Sequence, residues 1–191
     1  MTIPAWTEVQ LAIGGALLLA RGDRRGLALF DTSIDGFWRS YRAAMICFPL
    51  YLVLLSVRVT PAQWTATGVA PILAVETIAY VISWVAFPLL ILPLARWLGR
   101  ETRFLVFMVA YNWSQIPLTA LIAIVALNRA TGLLPSAAGQ FAELAATVAV
   151  LLYQWYIARV ALSVTGAQAM LVVVVDLVLG IALGRVAQGM Y

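Results

Sequence analysis

Five long apolar runs constrain the fold of this chain more than any other feature of its sequence. A membrane-spanning helix needs about 20 apolar residues at a rise of about 1.5 Å per residue. The runs are continuously apolar and do not alternate with polar residues, which is typical of helices rather than strands. Backbone inside a bilayer must satisfy its own hydrogen bonds, and a helix does so. We therefore predict an all-α, polytopic transmembrane bundle of five helices, over residues 42–59, 69–95, 104–127, 140–164 and 168–186.

The composition agrees with a membrane location. The 191 residues are 64% hydrophobic and 10% charged. A water-soluble domain of this size does not bury that much apolar surface. We divide the chain into an N-terminal cytoplasmic or interfacial helical segment, residues 1–41, and a five-helix transmembrane domain, residues 42–191.

The N-terminal segment has the pattern of short helices at a membrane surface. Residues 11–20 are apolar but too few to span, which favours an interfacial or re-entrant helix. A second helix is predicted after a cap, and it forms an amphipathic surface that either docks a partner or packs under the bundle. The candidate caps are Asp31, Thr32 and Ser33, and the apolar face consists of Ile34, Phe37, Trp38 and Tyr41.

The distribution of arginine predicts an orientation. All 12 basic residues are arginine, which favours a bacterial chain from a GC-rich genome. Nine of them precede the first run, follow the second, or lie near the turn between the fourth and fifth. By the positive-inside rule the N-terminus is cytoplasmic and the C-terminus periplasmic, in a bacterial inner membrane. The net charge of +4 is spread over loops and termini, so we predict no nucleic-acid partner.

Several chemistries are excluded by the residues themselves. The chain has no histidine and one cysteine, Cys47, which excludes bis-histidine haem, most zinc sites and internal disulfides. No phosphate loop, nucleophile elbow or nucleotide fingerprint is present. We therefore predict a protein that is not an enzyme, with no catalytic residues, no cofactor and no metal.

Charged residues inside spans are costly and mark candidate functional sites. Asp176 lies about 12 Å into the fifth run and Arg159 about 8 Å into the fourth, both measured from the turn that joins them, at 1.5 Å per residue. Because the two runs form an antiparallel hairpin, we predict a buried Arg159–Asp176 ion pair. Removing one partner of such a pair costs about 3–5 kcal/mol.

Uncharged polar residues accompany that pair. Asn112 and Gln115 lie on one face of the third run, and Gln154 lies at similar depth in the fourth. With Arg159 and Asp176 they are predicted to converge in the cytoplasmic half of the bundle. Two interpretations stay open: hydrogen bonds that hold helices together, each worth about 0.6–2 kcal/mol, or a polar cavity for a proton, an ion or a head group.

Glu76 stands apart, in the periplasmic half of the second run. We predict that it pairs with Arg185 near the end of the fifth run. The alternatives are a carboxyl that stays protonated and a carboxyl that acts as a proton site. On the fifth run, Gly180 and Gly184 form a GxxxG pattern, which predicts either a close helix contact inside the bundle or a dimer face.

Two stretches of the chain, residues 98–117 and the turn near residue 165, share a pattern with known proteins. The residues that form this pattern are Leu98, Gly99, Thr102, Phe104, Ala110, Tyr111, Ile116, Pro117, Trp155, Val164, Thr165, Gly166 and Ala169. The pattern resembles that of the Yip family of five-span membrane proteins, named for Ypt/Rab-interacting proteins, and of its bacterial relatives. The resemblance implies five spans, a cytoplasmic N-terminus and an integral-membrane scaffold, with no catalytic residues. It covers roughly residues 70–186, and Arg100 replaces the second glycine of the family's turn.

The function expected first is a non-enzymatic scaffold or accessory subunit that organises protein partners or lipids. Its partners are then the lipid bilayer and either a membrane-protein partner or further copies of the chain. The alternative is a small channel or transporter for a proton, an ion or a small solute that uses the buried polar cluster. A transporter requires a water-accessible path that touches Gln115, Asp176 or Glu76, whereas a scaffold requires only satisfied polar pairs.

Overall fold

The computed structural model describes residues 5–191, and this part of the chain folds into eight α-helices and two short 3₁₀ helices. Five of the helices are long and apolar enough to cross a membrane, so the predicted all-α five-span fold is confirmed and the chain is a polytopic membrane protein. The α-helices are α1 (Ala5–Ala20), α2 (Ile34–Ser40), α3 (Arg42–Arg58), α4 (Pro61–Thr67), α5 (Val69–Trp97), α6 (Phe104–Thr131), α7 (Ser136–Ala161) and α8 (Gly166–Gln188), and the 3₁₀ helices are Arg24–Leu29 and Glu101–Arg103.

The turn between α7 and α8 shows how local sequence sets a helix boundary. Thr165 is the N-cap of α8: its hydroxyl accepts from the Gln168 amide at 3.3 Å, and the Gln168 side chain accepts from the Thr165 amide at 3.0 Å. Before this capping box, Ser163 has a φ of 54°, a left-handed conformation that ends a helix. As a result α7 ends at Ala161, three residues before the predicted end.

The five spans run alternately up and down around α6. This central helix packs against α3 and α7, while α8 packs against α7 and α5. The bundle has an arginine-rich end, marked by Arg42, Arg96 and Arg103, and an opposite end, marked by Arg58 and Arg185.

The apolar core fills one half of this bundle. Phe107 and Trp113 of α6, Ile91 of α5 and Ile157 of α7 are buried together toward the arginine-rich end. Lipid is as apolar as these side chains, so the hydrophobic effect does not drive membrane helices together. Close packing holds them together instead, through dispersion contacts. Toward the opposite end, the buried apolar residues form only a small second cluster, made of Leu55, Val59 and Ile72.

The first helix is part of the same core. One face of α1, formed by Val9, Ala12, Ala16 and Leu19, is buried in the cluster that contains Phe107. This spacing of three and four residues is one helical face, and α1 uses it to pack against α6 and α7. Residues on both sides of the domain boundary predicted at residue 41 therefore share one core.

Close backbone contact fixes the return of the chain after α1. A Cβ atom added to Gly26 would lie 2.4 Å from the carbonyl oxygen of Gly15. Glycine at both positions lets the 3₁₀ helix Arg24–Leu29 lie directly on α1. Tyr156 of α7 adds a hydrogen bond to the carbonyl of Gly22 at 2.5 Å.

The second helix has the predicted cap and amphipathic pattern. Ser33 caps α2 by accepting from the Gly36 amide at 3.0 Å. Gly36 and Ser40 face the bundle and are buried, whereas Ile34 and Trp38 are both 65% exposed. The helix therefore presents an apolar edge away from the core at the arginine-rich end.

Candidate functional site

A cavity of about 720 Å³ lies among the five spans, and each of α3, α5, α6, α7 and α8 contributes to its lining. Its lining on α8 begins at Asp176 and extends to Gln188 at the end of that helix. The cavity therefore runs from the middle of the bundle to the opposite end. The arginine-rich half is packed and the other half is hollow.

The floor of the cavity carries a carboxylate. Asp176 lies about 15 Å from the start of α8 at 1.5 Å per residue. One of its oxygens accepts from the Tyr111 hydroxyl at 2.7 Å, and the other accepts from Gln154 Nε2 at 2.8 Å. Tyr111 in turn stacks on Phe87, with ring centroids 4.2 Å apart. Packing of α8 against α7 and α5 brings these groups from four helices to one place.

The predicted Arg159–Asp176 ion pair is wrong. Because α7 ends at Ala161, Arg159 lies only about 3 Å from the end of its helix at 1.5 Å per residue, far from the level of Asp176. Its guanidinium is exposed and lies 5.2 Å from the centre of the Trp155 ring. Within the described chain, Asp176 has no basic partner, and Gln154 occupies the place predicted for Arg159.

Glu76 forms an ion pair as predicted, but with a different arginine. Arg58 lies 2.6 Å from its carboxylate, and the hydroxyls of Tyr51 and Tyr191 also donate to it. Glu76 is 2% exposed and faces α3, which places it beside Arg58 rather than Arg185. Burial raises the pKa of the Tyr191 hydroxyl above its ordinary value.

Arg185 is instead a residue of the cavity wall. It lies on the α8 side near the opposite end and makes no ion pair with any residue between 5 and 191. Arg58 also lines the cavity, so the opposite end of the cavity carries two guanidinium groups, of which the Arg58 group is neutralised by Glu76.

The predicted uncharged residues meet at the cavity with different roles. Asn112 donates through Nδ2 to the buried hydroxyl of Ser40 at 2.8 Å, which ties α2 to α6. Gln115 lines the cavity, and its Nε2 is buried with no hydrogen-bond partner among the residues described. Asn112, Gln115, Gln154 and Asp176 all border the cavity, whereas Arg159 does not.

An aromatic wall, which was not predicted from the sequence, faces these polar groups. Tyr80, Trp84 and Phe87 follow each other on α5 at spacings of four and three residues, so they share one face, and Tyr51 of α3 joins them. The rings of Tyr51 and Tyr80 are 4.8 Å apart, and the Tyr80 hydroxyl donates to the Ala44 carbonyl at 2.7 Å. The helical spacing was the signal that could have revealed this wall.

Gly180 and Gly184 also border the cavity. A Cβ atom added at either position would have no heavy atom within 4 Å, so neither glycine makes a close helix contact inside the chain. A dimer face at these residues stays a prediction. In the structure, their missing side chains add to the space of the cavity.

No protein-family model matches this chain, and no curated protein or solved structure matches it. The resemblance to the Yip family stays a prediction. A proposal for function therefore depends on the cavity and on the side chains around it.

Proposed function

We propose that this membrane protein binds a small solute within its bundle and transports it. The observation that carries the proposal is the cavity of about 720 Å³ bordered by all five spans. Ligand pockets typically measure about 300–1,000 Å³ and combine apolar walls with a few polar groups. A bundle with a purely structural role gains stability by filling such a space, because empty volume forfeits packing contacts.

The polar groups of the cavity support a solute that is held in a fixed orientation. Asp176, Gln154 and Tyr111 lie together at the floor, where they can contact one end of a solute. Ionisable side chains in spans most often mark ion or substrate paths, because placing them in a membrane is expensive. The same cavity touches Gln115 and Asp176, and contact with either of them, or with Glu76, was expected from the sequence for a transport path.

The uneven packing of the bundle supports a carrier rather than an open channel. Below Asp176, the closely packed side chains Phe87, Phe107 and Val172 leave a void of only about 10 Å³, roughly one water molecule. A solute at the floor is therefore closed off from the arginine-rich end. Transport then requires the arginine-rich half to separate in a second state.

Thiol labelling tests the water access that this proposal requires. In a Cys47→Ser background, Gly184→Cys places a thiol on the cavity wall and Val178→Cys places one on the exposed outside of α8. The probes are two membrane-impermeant methanethiosulfonates, one carrying a trimethylammonium and the other a sulfonate. We expect at least one probe to label Gly184→Cys in proteoliposomes and neither to label the lipid-facing Val178→Cys.

The side of access shows which half of the bundle opens to water. We expect labelling of Gly184→Cys only from the face at the opposite end, and labelling of a Leu177→Cys variant at the floor from that same face. If neither probe reaches Gly184→Cys in a folded variant, the cavity is dry and the transport proposal fails. Labelling of Leu177→Cys from both faces would show that the arginine-rich half also opens, as a carrier with two states requires. A channel would in addition conduct ions across a planar bilayer.

A scaffold or accessory subunit is the second candidate function. Its support is the edge of α2, where Ile34 and Trp38 are both 65% exposed on a helix held to α6 by Asn112. Together with the resemblance to the Yip family, this edge favours contact with another membrane protein at the arginine-rich end. In either case we propose a bacterial inner membrane with the arginine-rich end in the cytoplasm.

A further inference from the structure

We infer that the solute is an organic cation with an aromatic or apolar body, held by Asp176 at the floor of the cavity. This inference rests on the proposed function, because it requires the cavity to be a binding site. It follows from the charge balance of the lining and from the position of the aromatic rings.

The charge balance leaves one carboxylate uncompensated. The charged side chains of the lining are Arg58, Asp176 and Arg185. Arg58 is paired with Glu76 at 2.6 Å, so these two groups cancel. Arg185 lies nine residues beyond Asp176, about 13 Å along α8 at 1.5 Å per residue. A ligand at the floor therefore meets the negative charge of Asp176 far more strongly than the positive charge of Arg185, because the interaction falls with distance.

Asp176 retains capacity for a ligand. An ionised carboxylate accepts at about four lone-pair positions, and only the Tyr111 hydroxyl and the Gln154 amide donate to it. Neither donor carries a charge, so the two hydrogen bonds leave the charge of the carboxylate unbalanced. A buried charge without a partner is costly, and a cationic ligand supplies the missing partner.

The aromatic wall selects among cations. Phe87 and Tyr111 are stacked beside Asp176, and Trp84 and Tyr80 extend the wall toward the opposite end. The negative faces of such rings attract ammonium and guanidinium groups and disfavour anions. Ca²⁺ and Mg²⁺ need about six or more oxygen ligands, and the described lining holds no group of three or more acidic, histidine or cysteine side chains that could bind a metal ion. An organic cation gains from both the rings and the carboxylate.

Two ions of matched shape and opposite charge test this inference. Tetraphenylphosphonium is the cationic probe and tetraphenylborate is the anionic one. Equilibrium dialysis against the protein in lipid nanodiscs measures their binding. Nanodiscs of the same lipid without the protein define the background from lipid. We expect cavity binding of tetraphenylphosphonium only, and a loss of about tenfold or more in affinity in Asp176→Asn.

Further variants separate charge from structure. Asp176→Glu keeps the charge and should retain affinity for tetraphenylphosphonium. Arg185→Gln should retain or increase it, because a distant positive charge is removed. If Asp176→Asn does not fold, the comparison of the two ions on the unmodified protein decides the question.

The outcomes distinguish failure of this inference from failure of the proposed function. Stronger cavity binding of tetraphenylborate, or equal affinity in folded Asp176→Asn, would overturn the cation while leaving a binding cavity in place. Binding of neither ion above the background of protein-free nanodiscs would overturn the cation as well. Only the additional absence of thiol labelling at Gly184→Cys would remove the binding cavity itself.

Discussion

Asn112 and Asp176 are both polar side chains in the middle of a span, but their partners give them different roles. The Asn112 amide is matched by the buried Ser40 hydroxyl at 2.8 Å, so its polar group is satisfied by the fold. Asp176 receives two neutral donors and borders open space. The first arrangement holds helices together, and the second leaves carboxyl lone pairs facing the cavity.

Loss of the Asn112 amide should weaken the attachment of α2 to α6. We expect Asn112→Ala to lower the free energy of unfolding by about 0.6–2 kcal/mol, the range for one interhelical hydrogen bond. Unfolding in mixed detergent micelles measures this. Ser40→Ala and the double variant complete a mutant cycle, in which the two effects should overlap. Fully additive effects would contradict the contact.

The partner of Glu76 can be identified by removing each arginine. We expect Arg58→Gln to destabilise the protein by about 1–3 kcal/mol, because a buried carboxylate loses its charged donor while two tyrosine hydroxyls remain. Arg185→Gln, the partner expected from the sequence, should change the free energy of unfolding by less than about 0.5 kcal/mol. Equal losses in the two variants would show that Glu76 interacts with both arginines.

The helix α1 and the 3₁₀ helix Arg24–Leu29 form a unit that depends on backbone contact. This unit covers α6 and α7 at the arginine-rich half, where the core is closed. Glu8 of α1 also pairs with Arg39 at 2.9 Å and with Arg42 at 3.2 Å, which links its first turn to α2 and α3. A second state that opens the arginine-rich half must move this unit or the spans beneath it.

A methyl group at Gly26 should disturb this unit. The added Cβ would lie 2.4 Å from the Gly15 carbonyl oxygen, so the two backbones must separate. We expect Gly26→Ala to cost about 1–3 kcal/mol, as overpacking does in well-packed cores. Gly139→Ala in α7 is the control: no atom lies within 4 Å of its new Cβ, and helix propensity favours alanine by about 1 kcal/mol. Similar melting of both variants would contradict the close contact.

The molecule as a whole combines a packed half with a hollow half. The packed half contains the aromatic and aliphatic core around α6, and the hollow half contains the cavity. Such a division makes the hollow half tolerant of added volume, whereas the packed half is not.

Filling the hollow half should not destabilise the fold. We expect Gly184→Leu to leave the free energy of unfolding unchanged or to raise it by about 1 kcal/mol, because leucine favours a helix over glycine by this amount. Thermal unfolding in detergent checks this expectation. A large loss of stability would mean that α8 packs against another surface at this glycine, as a dimer face would require.

Gentle purification distinguishes the two candidate functions for the whole protein. A solute carrier is expected to appear as a monomer or homo-oligomer by native mass spectrometry. A different protein bound in fixed ratio, and lost when Trp38→Ser disrupts the exposed edge of α2, would favour the scaffold. Trp97→Ser, which changes an exposed tryptophan at the same end of the bundle, is the matched control.

The all-α class, the five spans and the cap of α2 could be predicted from the sequence, because hydrophobic length, helical spacing and capping residues act over a few neighbouring positions. The partners of the buried charges could not. They depend on the depth at which each helix ends and on the face that it turns to its neighbours. The predicted end of α7 was three residues too late, and the observed end places Arg159 at a different depth from Asp176. The cavity is a property of five helices together, since empty space is defined by side chains that are distant in the chain.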